Sequence, residues 1–184
     1  MMGIRTRIKK LFVALYLKAN HVSFSSTPEM VGRWPKFFNQ GRIVLGDKCR
    51  FREYRTRHIL ATIKQNALLE FGEKCYLGDG VNICAAKKIV IGAHTQLAPN
   101  VSIYDTNFHP VQQGDPILEA EIVIGRNVWI GEHSIVMPGV TIGDHSVIGA
   151  NSVVTKNIPS RVMAAGSPAK VIDNIKCDDD WVRR

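Results

Sequence analysis

The fold is decided by residues 124–159, which read IGRNVW, IGEHSI, VMPGVT, IGDHSV, IGANSV and VTKNIP. An aliphatic residue returns at every sixth position, and weaker copies of the unit run upstream, in phase from Phe71 and again from Ile91. A fixed internal period is typical of repeat architectures, in which stacked units bury one continuous core. The repeat therefore predicts a solenoid.

Each position of the six-residue unit has its own chemistry. Position 1 is a large aliphatic residue that must point inward, and position 5 is mostly small or β-branched, which suits an extended backbone. Position 4 holds mainly Gly, Asn and His, the residues that best tolerate a positive φ angle. Three extended sides then close a triangular coil of about 18 residues, each side roughly 20 Å long. Corners are expected at Gly80, His94, Asn100, Asn127, His133, Gly139, His145, Asn151 and Asn157.

Residues 128–172, from VWIGEHSI to GSPAKVI, resemble the hexapeptide-repeat acyltransferases. More narrowly, they are similar to sugar O-acetyltransferases of the galactoside, maltose and surface-polysaccharide type, over roughly residues 67–172. The resemblance implies an all-β solenoid, a left-handed parallel β-helix, in a homotrimer with active sites between subunits. It also implies acetyl-CoA as the acyl donor, with no metal required.

The pattern predicts three parts. A basic amphipathic helix is expected over residues 1–22, and the β-helix over residues 40–160 with an extruded loop at 104–121. A CoA-binding turn and a short C-terminal helix are expected over residues 161–184.

The repeat stops at YDTNFHP, residues 104–110, where a solenoid can extrude a loop from a corner at little cost in closure entropy. A histidine in such a loop can take a proton from a hydroxyl near neutral pH. In the enzymes that this chain resembles, a histidine in this loop is the general base. The resemblance therefore predicts that role for His109. Asp105 or Asn107 is expected to orient its imidazole, although one more residue separates Asp105 from His109 than in the usual motif.

CoA is long and anionic, so its groove needs cationic side chains at one end. The resemblance and this requirement together predict the cofactor-binding residues Trp129, Gly131, Ala150, Thr155, Lys156, Arg161 and Lys170. Asn82 and Tyr104 are the candidates for contact with the acceptor sugar. Asn82 is chosen because some relatives use an asparagine from the coil before the base. Tyr104 is chosen because it begins the loop that should govern substrate choice.

Several alternatives stay open at this stage. N-acetylation of an amino sugar or nucleotide sugar needs the same base and groove, and a non-catalytic trimeric scaffold needs neither. A zinc enzyme of the γ-carbonic anhydrase type needs three histidines on neighbouring coils. Here His145 should stack on Asn127, and Met137 lies where a ligand histidine would be expected, which disfavours zinc.

The composition is that of an ordinary globular chain of 184 residues, with 45% hydrophobic and 22% charged residues, and no run approaches the roughly 20 apolar residues of a membrane span. The four irregularly spaced cysteines favour a reducing, cytoplasmic location. Residues 1–57 hold 13 Lys and Arg against 3 acidic residues, a net of +10, and residues 58–184 hold 11 against 13. The basic helix is expected either to lie on the inner face of an anionic membrane or to cap the first coil, and no nucleic-acid motif is present.

Overall fold

The computed structural model describes residues 4–183, so residues 1–3 of the expected N-terminal helix lie outside the described part. One helix, α1 (Ile4–Ala19), precedes a stack of triangular coils whose strands form three sheets, called sides A, B and C. Side A contains β1 (Val22–Phe24), β4 (Arg42–Leu45), β7 (Leu68–Phe71), β10 (Lys88–Ile91), β13 (Ile122–Ile124) and β16 (Thr141–Ile142). Side B contains β2 (Glu29–Gly32), β5 (Arg50–Glu53), β8 (Tyr76–Leu77), β11 (Gln96–Leu97), β14 (Trp129–Ile130), β17 (Val147–Ile148), β19 (Val162–Gly166) and β20 (Ala169–Asn174). Side C contains β3 (Lys36–Asn39), β6 (Ile59–Thr62), β9 (Asn82–Ala85), β12 (Ser102–Tyr104), β15 (Ile135–Val136) and β18 (Val153–Val154).

The aliphatic column of the repeat forms the core. Neighbouring coils pair in parallel with equivalent residues opposite each other, so Ile91 pairs with Ile124 and Ile124 with Ile142. All three side chains are buried, and the same holds along the whole stack. The inward direction predicted for position 1 is therefore confirmed.

The corners also follow the prediction. His94, Asn127 and His145 have φ angles of 62°, 54° and 62°. Positive φ angles are found at every expected corner except Asn157, namely Gly80, His94, Asn100, Asn127, His133, Gly139, His145 and Asn151. Lys48 and Lys74 occupy two further corners at 54° and 55°, which residue preference does not predict because lysine has no special tolerance for this region.

The β-helix begins earlier than the expected residue 40. Strands β1, β2 and β3 form a complete first coil, in which Val22 pairs with Ile43 and Met30 with Phe51. Ile43 pairs in turn with Leu69, so the first two steps are 21 and 26 residues long instead of 18. These longer coils hide the repeat from a search for six-residue spacing.

The prediction of a short C-terminal helix is wrong. Residues Ala169–Asn174 form β20, which pairs antiparallel with β19 on side B. A solenoid leaves unpaired backbone groups at its last coil, and a returning strand with β-branched Val171 and Ile172 satisfies them. The chain then continues as an extended tail that is bound by Asn127, whose side chain donates to the Trp181 carbonyl and accepts from the Arg183 amide.

Helix α1 packs on the first coil. Val13 and Leu17 are buried in the same core as the coil residues, and the Tyr16 ring lies 4.9 Å from that of Trp34, centroid to centroid. The Tyr16 hydroxyl donates to the Pro35 carbonyl at 2.5 Å. Within residues 4–183, no helix is long and apolar enough to cross a membrane.

A buried carboxylate faces a buried imidazole near the end of β5. Glu53 Oε1 and His58 Nε2 lie 3.6 Å apart, both side chains are fully buried, and in the described part of the chain neither Glu53 oxygen has a hydrogen-bond partner. Burial raises the pKa of Glu53 to about 7 and lowers the pKa of His58 to about 4. Both groups are therefore neutral in mildly acidic solution, and Glu53 ionises as the pH rises through 7.

We expect Glu53→Gln to stabilise the protein above pH 7. A carboxyl group whose pKa is raised on folding stabilises the native state below its unfolded pKa, and this contribution is lost as the pH rises through the folded value. Glutamine cannot ionise, so the gain in unfolding free energy should grow from near zero at acidic pH to on the order of 3 kcal/mol at alkaline pH. Urea unfolding across this range measures it. The exposed Glu132→Gln is the control, and an equal pH dependence of both variants would contradict the prediction.

Candidate active site

The extruded loop, residues 104–121, leaves the stack at corner C–A, where the chain passes from side C to side A. Its two ends pair as a short ribbon, with an antiparallel bridge between Thr106 and Glu119 and an N–H bond from Ala120 to the Asp105 carbonyl at 2.9 Å. The loop is thus a closed excursion that lets the core continue without interruption.

A lysine from an earlier coil holds the loop from outside. The Lys64 Nζ atom lies 2.5 and 2.7 Å from the two Glu119 carboxylate oxygens. Sequence reasoning missed this pair, because 55 residues separate its members and neither belongs to a recognisable motif. The signal that could have pointed to it is the break in the repeat around Lys64, which resembles the break that revealed the loop.

Asp105 anchors the loop to the coil beneath it. Its buried carboxylate accepts backbone N–H bonds from Ala86 at 2.6 Å, Lys87 at 2.8 Å and Lys88 at 2.7 Å. Lys87 and Lys88 are the two-residue insertion that shifts the repeat between β9 and β10, and Ala86 precedes them, so Asp105 compensates the amides that the insertion leaves unpaired. These contacts give Asp105 an anchoring role, and its orientation of the His109 imidazole stays a prediction.

His109 lies on the exposed part of the loop. Its backbone N–H donates to the Asn107 carbonyl at 2.7 Å, and within residues 4–183 no hydrogen bond joins its imidazole to Asp105 or to Asn107. The preceding Phe108 has a φ angle of 60°, which is uncommon for an aromatic residue, and its ring lies 5.8 Å from that of Tyr104. The turn thus directs His109 away from the core, where an acceptor could reach the imidazole.

The two acceptor candidates share the outward surface of side C. Asn82 on β9 pairs with Ser102 on β12, and Tyr104 follows two residues later with its side chain on the same face. Both are half-buried. Tyr104 stands directly at the start of the loop, so this row leads towards His109.

Thr155 and Lys156 lie at the same corner as the loop. Ile103 pairs with Val136 and Val136 with Val154, so the residues that follow these strands stack at corner C–A. Two steps of about 4.8 Å place Thr155 roughly 10 Å along the stack from the base of the loop. Both side chains are exposed.

Trp129, Gly131 and Ala150 lie together at corner B–C, where the chain passes from side B to side C. Trp129 is exposed on β14, and the Gly131 amide donates to the Ile148 carbonyl at 2.8 Å. A Cβ atom on Gly131 would lie 2.5 Å from the Ala150 backbone nitrogen, so only glycine allows this approach of neighbouring coils. Corners B–C and C–A are the two edges of side C and lie roughly 20 Å apart.

The remaining two expected CoA residues occupy other places. Lys170 lies exposed on β20 opposite Ala165, at the C-terminal end of side B. Arg161 lies at corner A–B, where its amide donates to the Asp144 carbonyl at 2.9 Å and its guanidinium forms an ion pair with the tail residue Asp179. Arg161 is therefore separated from Lys156 by the whole of side A.

Two corner histidines lie against asparagines of a neighbouring coil, and the pair of His145 with Asn127 is the one that the 18-residue coil predicts. His145 Nδ1 lies 2.9 Å from Asn127 Nδ2, and His133 Nε2 lies 3.4 Å from Asn100 Nδ2. In the described part of the chain, no group of three or more His, Cys, Asp or Glu residues has a geometry that could hold a metal ion.

Comparison with known proteins identifies the same repeat. Residues 121–156 match the family model described as "Bacterial transferase hexapeptide (six repeats)". The chain is 38% identical over 143 residues to galactoside O-acetyltransferase of Escherichia coli (strain K12), covering 70% of each protein. It is also 38% identical over 114 residues to WbbJ of the same organism, named for O-acetyl transfer in lipopolysaccharide biosynthesis, covering 55% of this chain and 58% of that protein.

The structural comparison gives the fold. The crystal structure of AntD, an N-acyltransferase from Bacillus cereus, superposes with a TM-score of 0.73 at 18% identity, covering 89% of this chain and 88% of that one. At this identity the likeness concerns the fold alone, which is the left-handed parallel β-helix that the resemblance implied.

We expect Asp105→Ala to loosen the base of the loop. Three buried backbone amides would lose their acceptor, which should lower the free energy of unfolding by about 3 kcal/mol. Urea unfolding measures the loss, and amide hydrogen exchange should rise in residues 86–88 and 104–121. Asp115→Ala, at the exposed tip of the same loop, should change stability by less than about 0.5 kcal/mol. Equal stability and exchange in the two variants would contradict the anchoring role.

Proposed function

Because the chain belongs to the hexapeptide-repeat acyltransferase family and is an acyltransferase, we propose that it transfers the acetyl group of acetyl-CoA to a hydroxyl of a sugar or glycan precursor. One observation carries the proposal: an exposed histidine stands on a rigidly anchored loop, at the same corner of the solenoid as Thr155 and Lys156. The similarity to galactoside O-acetyltransferase supports an acetyl donor and a sugar acceptor.

In the proposed reaction, the His109 imidazole takes the proton of the acceptor hydroxyl. The oxygen attacks the thioester carbonyl directly, the CoA thiolate leaves, and it receives the proton from the imidazolium. The products are an acetyl ester and free CoA. The ribbon at the loop base, the Asp105 anchor and the Lys64–Glu119 pair support this role, since a base must stay within hydrogen-bond reach of its substrate. Asp105 and Asn107 remain the candidates for orienting the imidazole.

The acceptor is proposed to lie over the outward face of side C, in contact with Asn82 and Tyr104. Both residues can hydrogen-bond a sugar hydroxyl, and their row leads to His109. An amine acceptor needs the same base, so the acceptor screen should include amino sugars and nucleotide sugars beside neutral glycans. The similarity to WbbJ favours precursors of a cell-surface polysaccharide.

CoA is proposed to bind along the C-terminal coils with Trp129, Gly131 and Ala150 beside one end and Lys156 and Lys170 holding its phosphates. Trp129, Gly131 and Ala150 lie at one edge of side C and Lys156 at the other, while Lys170 lies at the end of side B. We therefore propose a homotrimer in which each active site forms between subunits, so that the loop of one chain meets the groove of its neighbour. The cysteine pattern and the basic N-terminal end support a cytoplasmic enzyme with peripheral contact between residues 1–20 and the inner membrane face.

We expect His109→Ala to lower the rate of acetyl transfer by about 10²- to 10⁴-fold, the usual contribution of a general base, and to leave acetyl-CoA binding unchanged. Turnover is measured by release of free CoA in the presence of an acceptor. His94→Asn serves as the control, because it removes a histidine from a distant corner and keeps a residue that tolerates its φ of 62°. Retained turnover in His109→Ala would exclude it as the base.

We expect calorimetric titration with acetyl-CoA to show saturable binding of one CoA per chain. Lys156→Ala should weaken binding by about tenfold, because it removes one charged contact to a phosphate. Lys36→Ala, an exposed lysine at the opposite end of the stack, should bind as the wild type does. If the wild type does not bind acetyl-CoA, the proposed activity is wrong and a non-catalytic trimeric scaffold is favoured.

A further inference from the structure

Helix α1 has two apolar faces, and the coil covers one of them. The inner face, formed by Val13, Tyr16 and Leu17, packs on the first coil. The outer face is formed by Ile8, Leu11, Phe12 and Leu15, which are 49%, 60%, 57% and 54% exposed. These four follow i, i+3, i+4, i+7 spacing and lie on the opposite side of the helix from the inner face. A contiguous apolar stripe of this kind indicates an interaction surface.

The charges on α1 are all of one sign. Arg5, Arg7 and Lys18 flank the outer face, Lys9 and Lys10 lie on the side of the inner face, and the helix contains no acidic residue. In the described part of the chain, no salt bridge joins Arg5, Arg7 or Lys18 to a carboxylate. The helix therefore presents an apolar stripe between unneutralised cations.

A basic cavity lies where α1 meets corner A–B, on the side of the helix that faces the coils. It has a volume of about 890 Å³, and six cations line it: Arg5, Lys9 and Lys10 from the helix and Lys48, Arg50 and Lys74 from the coils. The three coil cations are paired with carboxylates, Lys48 with Asp47, Arg50 with Glu29 and Lys74 with Glu73. The three helix cations therefore add to the positive potential of this end of the molecule.

The outer face and the cations that flank it fit the layers of a bilayer surface. An interfacial helix sinks its apolar face about 5–10 Å into the boundary between headgroups and acyl chains. A helix with its side chains is about 10 Å across, so cations at its flank then lie at the level of the lipid phosphates. We infer that α1 docks the protein on an anionic phospholipid bilayer, with the outer face in the interface and Arg5, Arg7 and Lys18 against the lipid phosphates.

A second copy of this chain fits the outer face less well than a bilayer does. Two copies of α1 facing each other would bring ten cations together without a counter-charge on either helix, which is unfavourable. An anionic bilayer supplies both the apolar layer and the negative charge. The outer face and its flanking cations supply a structural basis for the membrane contact proposed above. Binding to vesicles tests this contact separately from acetyl transfer.

The test is co-sedimentation of the full chain with two kinds of vesicle, phosphatidylcholine alone and phosphatidylcholine with one quarter phosphatidylglycerol. The wild type should pellet with the anionic vesicles and stay in solution with the neutral ones. Leu11→Ser with Phe12→Ser should lower the affinity for anionic vesicles at least about tenfold, because two large apolar side chains are lost. Arg7→Gln with Lys18→Gln should lower it about tenfold or more, since each cation near an anionic surface contributes about 1 kcal/mol of binding, the equivalent of about fivefold in affinity.

Val171→Ser with Ile172→Ser is the matched control, because it removes similarly exposed apolar surface from the opposite end of the molecule. It should bind anionic vesicles as the wild type does. Equal binding to both vesicle types, or wild-type binding by the outer-face variant, would overturn the inference. A changed oligomeric state of the outer-face variant without lipid would also overturn it and assign the face to a contact between copies. Acetyl-CoA titration of the same samples keeps the two proposals apart, since the outer-face variant should bind the donor normally.

Discussion

The structure depends on the pairing of each coil with the next at its corners. The positive φ angle of a corner residue turns the chain and also aims its backbone N–H at the coil below. The Asn127 amide donates to the Ala93 carbonyl at 2.8 Å, and the His145 amide donates to the Arg126 carbonyl at 2.9 Å. Each corner thus satisfies backbone groups that a sharp bend would otherwise leave unpaired. This pairing fixes the register of each strand against the next, because a slip by one residue would turn the aliphatic column from the core to the solvent.

This constraint explains where the solenoid tolerates irregularity. An insertion within a side would break two ladders, whereas an insertion at a corner disturbs only the turn. Both departures from the repeat near the candidate site lie at corner C–A, and one compensates the other. The insertion at Lys87 and Lys88 leaves their backbone N–H groups without a partner in the sheet. The carboxylate of Asp105 accepts these hydrogen bonds, and Asp105 is the second residue of the loop one coil above. The extruded loop is therefore anchored by the irregularity beneath it, which ties its base to the stack.

The sequence predicts those parts of the fold in which a position accepts only a few residue types for one structural reason. Corners at His94, Asn127 and His145 are predictable because few side chains tolerate their φ angles. The first coils were not predictable from six-residue spacing, because their lengths vary while their inward residues still align.

The candidate site divides in the same way. His109 could be singled out because it stands in a gap of the repeat. The partners of Asp105 could not be identified, because they are backbone amides and carry no sequence signal. The contact of Arg161 with Asp179 depends on the path of a tail that has no periodicity.

The separation of Trp129 and Gly131 from the corner that bears His109 bears on how the enzyme would be assembled. A general base must come within hydrogen-bond distance of the acceptor, and the acceptor oxygen must in turn approach the thioester closely. Within one chain, Trp129 and Gly131 at corner B–C lie roughly 20 Å from the corner that bears His109. In the proposed trimer, corner C–A of one subunit would face corner B–C of the next, so the base and the thioester would meet across the interface. Assembly would then be a condition of activity, and the exposed position of His109 in the single chain follows from the same geometry.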